Sequence, residues 1–224
     1  MNPWLFAPNI NTIHGFSTRH GGVSQGNFSS LNLGGHDDYQ ESIKQNRKLA
    51  LEQLNIANLQ VRTLHQIHGN KVVRAESEES DADALVSNQK GVPIAIGVAD
   101  CYPVLFYDAV NQVIGAAHAG WRGTVSRIVS NTVNEMLQLG AQKEHIQVAI
   151  GQGISCEKFE VGAEVVEQFL SSGFTKACIV GNKIDLIAAN IEALNAIGIA
   201  DSQIWCMNRC SFEADFQILL LCIF

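Results

Sequence analysis

The sequence lacks a surplus of positive charge: 15 Lys and Arg stand against 22 Asp and Glu in 224 residues, for a formal net charge of −7. A nucleic-acid partner or an anionic membrane surface calls for a basic face, so neither is expected. An anionic ligand would have to be held by a local group of Arg or Lys. A basic start followed by an apolar run is also missing. The first ten residues, MNPWLFAPNI, carry two prolines and no charge, so no secretion signal is read there and a cytoplasmic protein is expected. Several motifs are absent too: GxGxxG after a strand, the Walker A loop, HExxH, the GxSxG elbow, and the H-x-E with P-C-x-x-C pattern of zinc nucleobase deaminases. Repeats, linkers and low-complexity tracts are not found. Six cysteines lie irregularly in a chain whose 46% hydrophobic content is enough for a substantial core, so thiols or metal ligands are expected rather than stabilising bridges.

What is present reads as one α+β domain over residues 1–224, a mixed β-sheet core flanked by helices. From His14 to His36 the chain is rich in Gly, Ser and Asn, which predicts turns and short strands. Ile43, Leu49, Ala50 and Leu54 give the face of a helix over 40–54. Strands are expected at 61–66 and 72–75 around the turn-forming His68-Gly-Asn70, and the acidic run 76–83 reads as a solvated loop. Further strands are expected at 93–99, 104–107, 113–118 and 146–150, with Pro103 interrupting the second of these at its start. Thr124 is the expected N-cap of a helix whose stripe is Val125, Ile128, Val129, Val133, Met136 and Leu137. A short helix around Val165–Leu170 and a longer one from Ile184 to Ile197 complete the pattern.

The segment GAAHAGWRGT, residues 115–124, clears bulky neighbours from around one imidazole and one guanidinium. Three segments place a metal-ligand type beside a strand end: His68, Cys101 and His118. Two imidazoles and a thiolate suit zinc with an open fourth position, where a bound water would be acidified to a pKa of roughly 7. No local spacing motif links the three. The same residues also read as a small buried hydrophobe, a turn residue and a core histidine, or as a Cys nucleophile with a His base. Arg122, followed by a helix N-terminus, reads as an anion site or as a turn arginine reaching solvent. Arg19 and Asn32 supply a second cation and a polar side chain in the early loop, where simple turn chemistry also explains them. Cys206 and Cys210 are spaced too widely for a CxxC pair and read as two thiols at a strand edge.

The stretches HGFSTRHGGVS, SLNLG, Gln45-Asn46-Arg47, HQIHGNKV, ADALVSN, GVADCYPVLFYD, GAAHAGWRGT and FEVGAEV occur in an order that resembles one family. It is the family long called multicopper polyphenol oxidase or laccase-like, and now regarded as purine nucleoside phosphorylases. The resemblance runs from about His14 to Phe216. It implies a mixed β core with helices and a zinc site, sometimes reported with copper, on His68, Cys101 and His118. It also implies phosphorolysis of purine nucleosides, adenosine deamination and methylthioadenosine cleavage. On that footing Arg122, helped by Arg19 and Asn32, would bind substrate and phosphate, and Asp100 would carry a proton or orient a ligand histidine.

A true laccase would need on the order of ten histidines, usually in His-x-His pairs, for its coppers. This chain has seven histidines and no such pair. Three alternatives remain: a copper-dependent phenol oxidase, a metal-free cysteine hydrolase, and a non-catalytic binding protein. After Phe216 the resemblance stops. Family members continue with a serine and two arginines where this chain has QILLLCIF, so either the reading frame has shifted or the tail pairs as the missing strand.

Overall fold

A computed structural model of the chain describes residues 3–35, 37–212 and 218–222. His36 and Phe216, which bound two of the stretches above, lie outside the described residues. The fold is α+β, as the sequence pattern implies. Its centre is a six-stranded mixed sheet and a four-stranded antiparallel sheet, with helices on the far side of the larger one.

In chain order, β1 (Trp4–Leu5) and β2 (His14–Ser17) pair and are followed by α1 (Gln40–Gln53). Next come β3 (Val72–Arg74), β4 (Ala84–Ser87), β5 (Ile94–Val98), β6 (Tyr102–Asp108) and β7 (Val113–Ala119). Helices α2 (Trp121–Val125) and α3 (Ile128–Gln138) lead to β8 (Ile146–Ile150) and α4 (Ala163–Ser171). A small hairpin of β9 (Ile179–Val180) and β10 (Lys183–Ile184) precedes α5 (Leu186–Asn195), β11 (Ile204–Cys206) and β12 (Ile218–Cys222). The large sheet has the order β11-β8-β6-β7-β4-β3 and the small one β1-β2-β12-β5. The backbone of Ile218–Cys222 therefore does enter as a strand, antiparallel to both β2 and β5.

Side-chain alternation divides the core into layers. Val104, Phe106, Ala117 and Val148 face the helices and pack with Ile128, Val133, Met136 and Phe169. Leu105, Tyr107, Ile114, Ala116 and Ala149 face the small sheet and pack with Phe16, Leu85, Ile94 and Ile96. Because β6 is covered on both faces, all seven of its residues are buried and it reads as a continuous apolar run. Helix α1 closes the outside of the small sheet, where Trp4 Nε1 donates to the Ala50 carbonyl at 3.0 Å.

Three local expectations are corrected. Residues 61–66 form no strand, because their backbone serves two partners in turn: Arg62 bonds with Pro93 and Ala95, and His65 with Ser80 and Ala82. Pro103 lies inside β6 and does not interrupt it. Its carbonyl accepts from Gly151 on the β8 side, just past the last ladder pair Val104↔Ile150, so the missing N–H costs no ladder bond. Ile184 belongs to β10, and the helix behind it starts at the N-cap Asp185, whose side chain accepts from the Ala188 N–H at 2.9 Å. The five cysteines with described side chains are free thiols. No helix among the described residues is long and apolar enough to cross a membrane.

Candidate metal centre

Sheet register assembles the site. Antiparallel pairing of β6 with β7 sets Pro103 opposite His118 and Tyr102 opposite Ala119, so Cys101 falls beside Gly120. On the other side of β7, Ala84 pairs with Ala117, which places Asp83 beside His118; the His118 N–H donates to the Asp83 carbonyl at 2.8 Å. By alternation His118 shares a face with Ile114 and Ala116, toward the small sheet. His68 arrives from the turn before β3, with its backbone in the left-handed region at φ 58.

The candidate ligand atoms of His68, Cys101 and His118 all lie within 4.8 Å of one another. The imidazoles meet edge to face with centroids 4.7 Å apart. His118 is buried, Cys101 half-buried and His68 exposed, so the group opens to one side. The small residues of GAAHAGWRGT now have a reason. A Cβ on Gly120 would stand 2.8 Å from Cys101 Sγ, and one on Gly123 would stand 2.9 Å from the Gly69 carbonyl.

The electrostatics centre on Asp83, which is fully buried and accepts from His118 Nδ1 at 2.8 Å. Burial opposes a charge on His118, but the Asp83 hydrogen bond and the adjacent Cys101 push its pKa up to about 9. Burial, then the charges of His118 and Arg122, lower His68 against the pull of Asp83. Burial would raise Asp83, yet hydrogen bonds from His118, Gly69 and His68 hold it below the usual carboxylate range. The donor set fits a divalent ion. Asp83 occupies His118 Nδ1 and leaves Nε2 as the ligating atom, the arrangement common at zinc-binding histidines.

The group sits in a cavity of about 580 Å³ walled by Phe28, Leu31, Leu33, Gln66 and Val98, with Asn32 and Asp100 also on the wall. Such a volume falls within the range of small-molecule sites. Of the four other expected residues, Arg122 and Arg19 are not on its wall. Arg122 is exposed and stacks on Trp121, 4.4 Å from the ring centre. Arg19 donates through Nε and a terminal N–H to the Ser29 carbonyl. Asn32 gives its amide to Asp38 at 2.9 Å, and Asp100 accepts from the Ser211 hydroxyl at 2.8 Å.

Two readings of this region change. Thr124 is not an N-cap, since α2 starts at Trp121 behind Gly120 and Thr124 Oγ1 accepts from buried Asn190 at 3.1 Å. The chain then breaks at Arg127, φ 62, before α3. Arg122 thus lies inside the first turn of α2, and the long helix starts only at Ile128. The other change concerns Asp83, which the sequence pattern assigned to the solvated acidic loop. Its signal was its place immediately before the apolar strand Ala84–Ser87. Gln66 was missed as well: its side-chain amide clamps both the carbonyl and the N–H of Gly97, each at 2.7 Å.

Comparison with known proteins shows the family. The family described as Multi-copper polyphenol oxidoreductase laccase matches residues 13–217, and the chain belongs to it. A purine nucleoside phosphorylase of Deinococcus radiodurans is 43% identical over 218 residues, covering 96% of this chain and 85% of that protein. A protein named adenosine deaminase RL5, from an unknown prokaryotic organism, is 34% identical over 228 residues, 92% of this chain and 87% of its own length. The crystal structure of Neisseria meningitidis protein NMB0706 superposes with a TM-score of 0.85 at 31% identity, over 99% of each chain.

Proposed function

As a member of this family, the chain is, we propose, a zinc-dependent purine nucleoside phosphorylase that also deaminates adenosine and cleaves methylthioadenosine. The observation that carries this reading is the convergence of His68, Cys101 and His118 on one end of a cavity of nucleoside size. Zinc bound there would supply a Lewis acid, with copper as the alternative ion. The seven histidines, none in a His-x-His pair, speak against the oxidase chemistry in the family's older description.

The chain's own residues would do the rest. Phe28, Leu31, Leu33 and Val98 offer apolar wall for a purine ring. Asn32, on the wall, would meet the substrate's polar edge, and Asp100, whose Oδ1 accepts from the Ser211 hydroxyl, would relay a proton. Arg122, whose guanidinium carbon lies over the Trp121 ring, would offer its N–H groups for a bidentate contact with phosphate. Arg19 would add a second positive charge. In phosphorolysis, adenosine and phosphate give adenine and ribose 1-phosphate. In deamination, adenosine and water give inosine and ammonia.

Product analysis from adenosine, with and without phosphate, on protein of measured metal content tests the reading. Ribose 1-phosphate that requires phosphate, and inosine that does not, are the expected products. Metal-replete protein that yields neither would overturn it.

A further inference from the structure

We propose that Asp83 is the positioning residue of this centre, a buried carboxylate that sets the backbone of one ligand histidine and the ring of the other before any ion arrives. The proposal rests on the metal reading above and goes beyond it, because it assigns a role to a side chain that contacts no substrate.

The Asp83 carboxylate accepts four hydrogen bonds. Oδ1 takes the His68 N–H at 2.9 Å and His118 Nδ1 at 2.8 Å; Oδ2 takes the Gly69 N–H at 2.6 Å and the Ile67 N–H at 3.3 Å. That uses about all the lone pairs an ionised carboxylate offers. Its own backbone is fixed as well, since the Asp83 N–H donates to Lys71 at 3.0 Å and its carbonyl accepts from His118. A left-handed conformation is unfavourable for a side chain such as that of His68. Three consecutive N–H groups pointing at one anion hold it there. Gln66 secures the same turn from its other end, through Gly97.

Charge explains why a carboxylate stands here. Among the described residues no Lys or Arg forms an ion pair with Asp83; its one such partner is His118. Burying an anion without a matching cation is costly. In the absence of an ion His118 supplies it; a bound divalent ion would replace that charge, its two positive charges balancing the Asp83 carboxylate and a Cys101 thiolate with both histidines neutral. An asparagine would keep the size of Asp83. It would turn an NH2 group toward donors on one side, so either the turn or the His118 ring would lose its acceptor.

The test compares the full-length parent and Asp83→Asn. Zn2+ affinity is measured by competition with a chromophoric chelator, and the visible spectrum is recorded after loading with Co2+. The expected result is a 10–100-fold weaker affinity for Asp83→Asn and an altered Co2+ spectrum. A variant that binds Zn2+ as tightly as the parent, with the parent's Co2+ spectrum, overturns the inference and leaves the metal reading intact. A parent that binds no Zn2+ overturns both.

If Asp83→Asn does not fold, the unmutated protein with 15N-labelled histidine decides the matter. The His118 Nδ1–H resonance should be present without metal and persist when Zn2+ is added. Its loss on Zn2+ addition, which would mean coordination through Nδ1, overturns the proposal.

Discussion

Gly120→Ala probes how tightly the site is built. Gly120 has φ −73 and ψ 170, a conformation open to alanine, so the substitution brings no backbone strain and its effect is steric. The new methyl would stand 2.8 Å from Cys101 Sγ and 3.7 Å from His68 Cδ2. Ordinary contact begins at 3.4 Å, so the sulfur must retreat by about 0.6 Å or rotate away from the histidines. Overpacking of this kind costs about 1–3 kcal/mol. If the strain is relieved by moving the sulfur, it appears as lost metal affinity, and at about 1.4 kcal/mol per factor of ten it corresponds to roughly 5–150-fold. The assay is chelator competition alongside thermal unfolding of the metal-free protein. Parent affinity in a folded Gly120→Ala protein would refute the reasoning, since the thiol would then have no need of its present position.

Three further outcomes follow from other parts of the molecule. Cys101→Ala should abolish both metal uptake and nucleoside turnover while the metal-free protein still folds, checked by elemental analysis, product formation and circular dichroism. Asn46→Ala should cost about 2–4 kcal/mol in urea unfolding and raise KM. Asn46 is fully buried; its Oδ1 takes the Val23 N–H at 2.7 Å and its Nδ2 reaches Ser24 Oγ and the Ser30 and Asn32 carbonyls, tying down the loop that walls the cavity. His14 predicts an acid-side loss of stability. Its Nε2 accepts from the Ala7 N–H and its Nδ1 donates to the Thr12 carbonyl, so the ring is held neutral, and burial lowers its pKa against the smaller opposing effect of those two bonds. The unfolded chain therefore takes up this proton first. The His14 contribution is complete above about pH 6.5 and is lost as pH falls from there toward the lowered folded value. Thermal melts of the parent across this range should show that loss, and a His14→Gln variant should lack this component.

The helices were the most legible part of the sequence. The stripe from Ile128 to Leu137 and the pair Val165 and Phe169 are set by local periodicity, and both became helix faces against the large sheet. Strands β5 to β8 were legible as predominantly apolar runs, most of whose residues are buried. What local pattern could not supply was register. His68, Cys101 and His118 meet because β7 pairs with β6 on one side and β4 on the other, a long-range fact that the residues alone left as one alternative among several and that the family resemblance favoured. Asp83 was hidden by its neighbours, since an acidic run with serines looks solvated throughout even though its last carboxylate turns into the core. Thr124 misled because a hydroxyl before an apolar stripe suits an N-cap, while a buried amide on α5 claims it instead.

X-ray absorption at the zinc edge of the loaded protein tests the central claim most directly. The account predicts one sulfur at about 2.3 Å and two imidazole nitrogens at about 2.0–2.1 Å. A first shell made only of nitrogen and oxygen in the unmutated protein would contradict it.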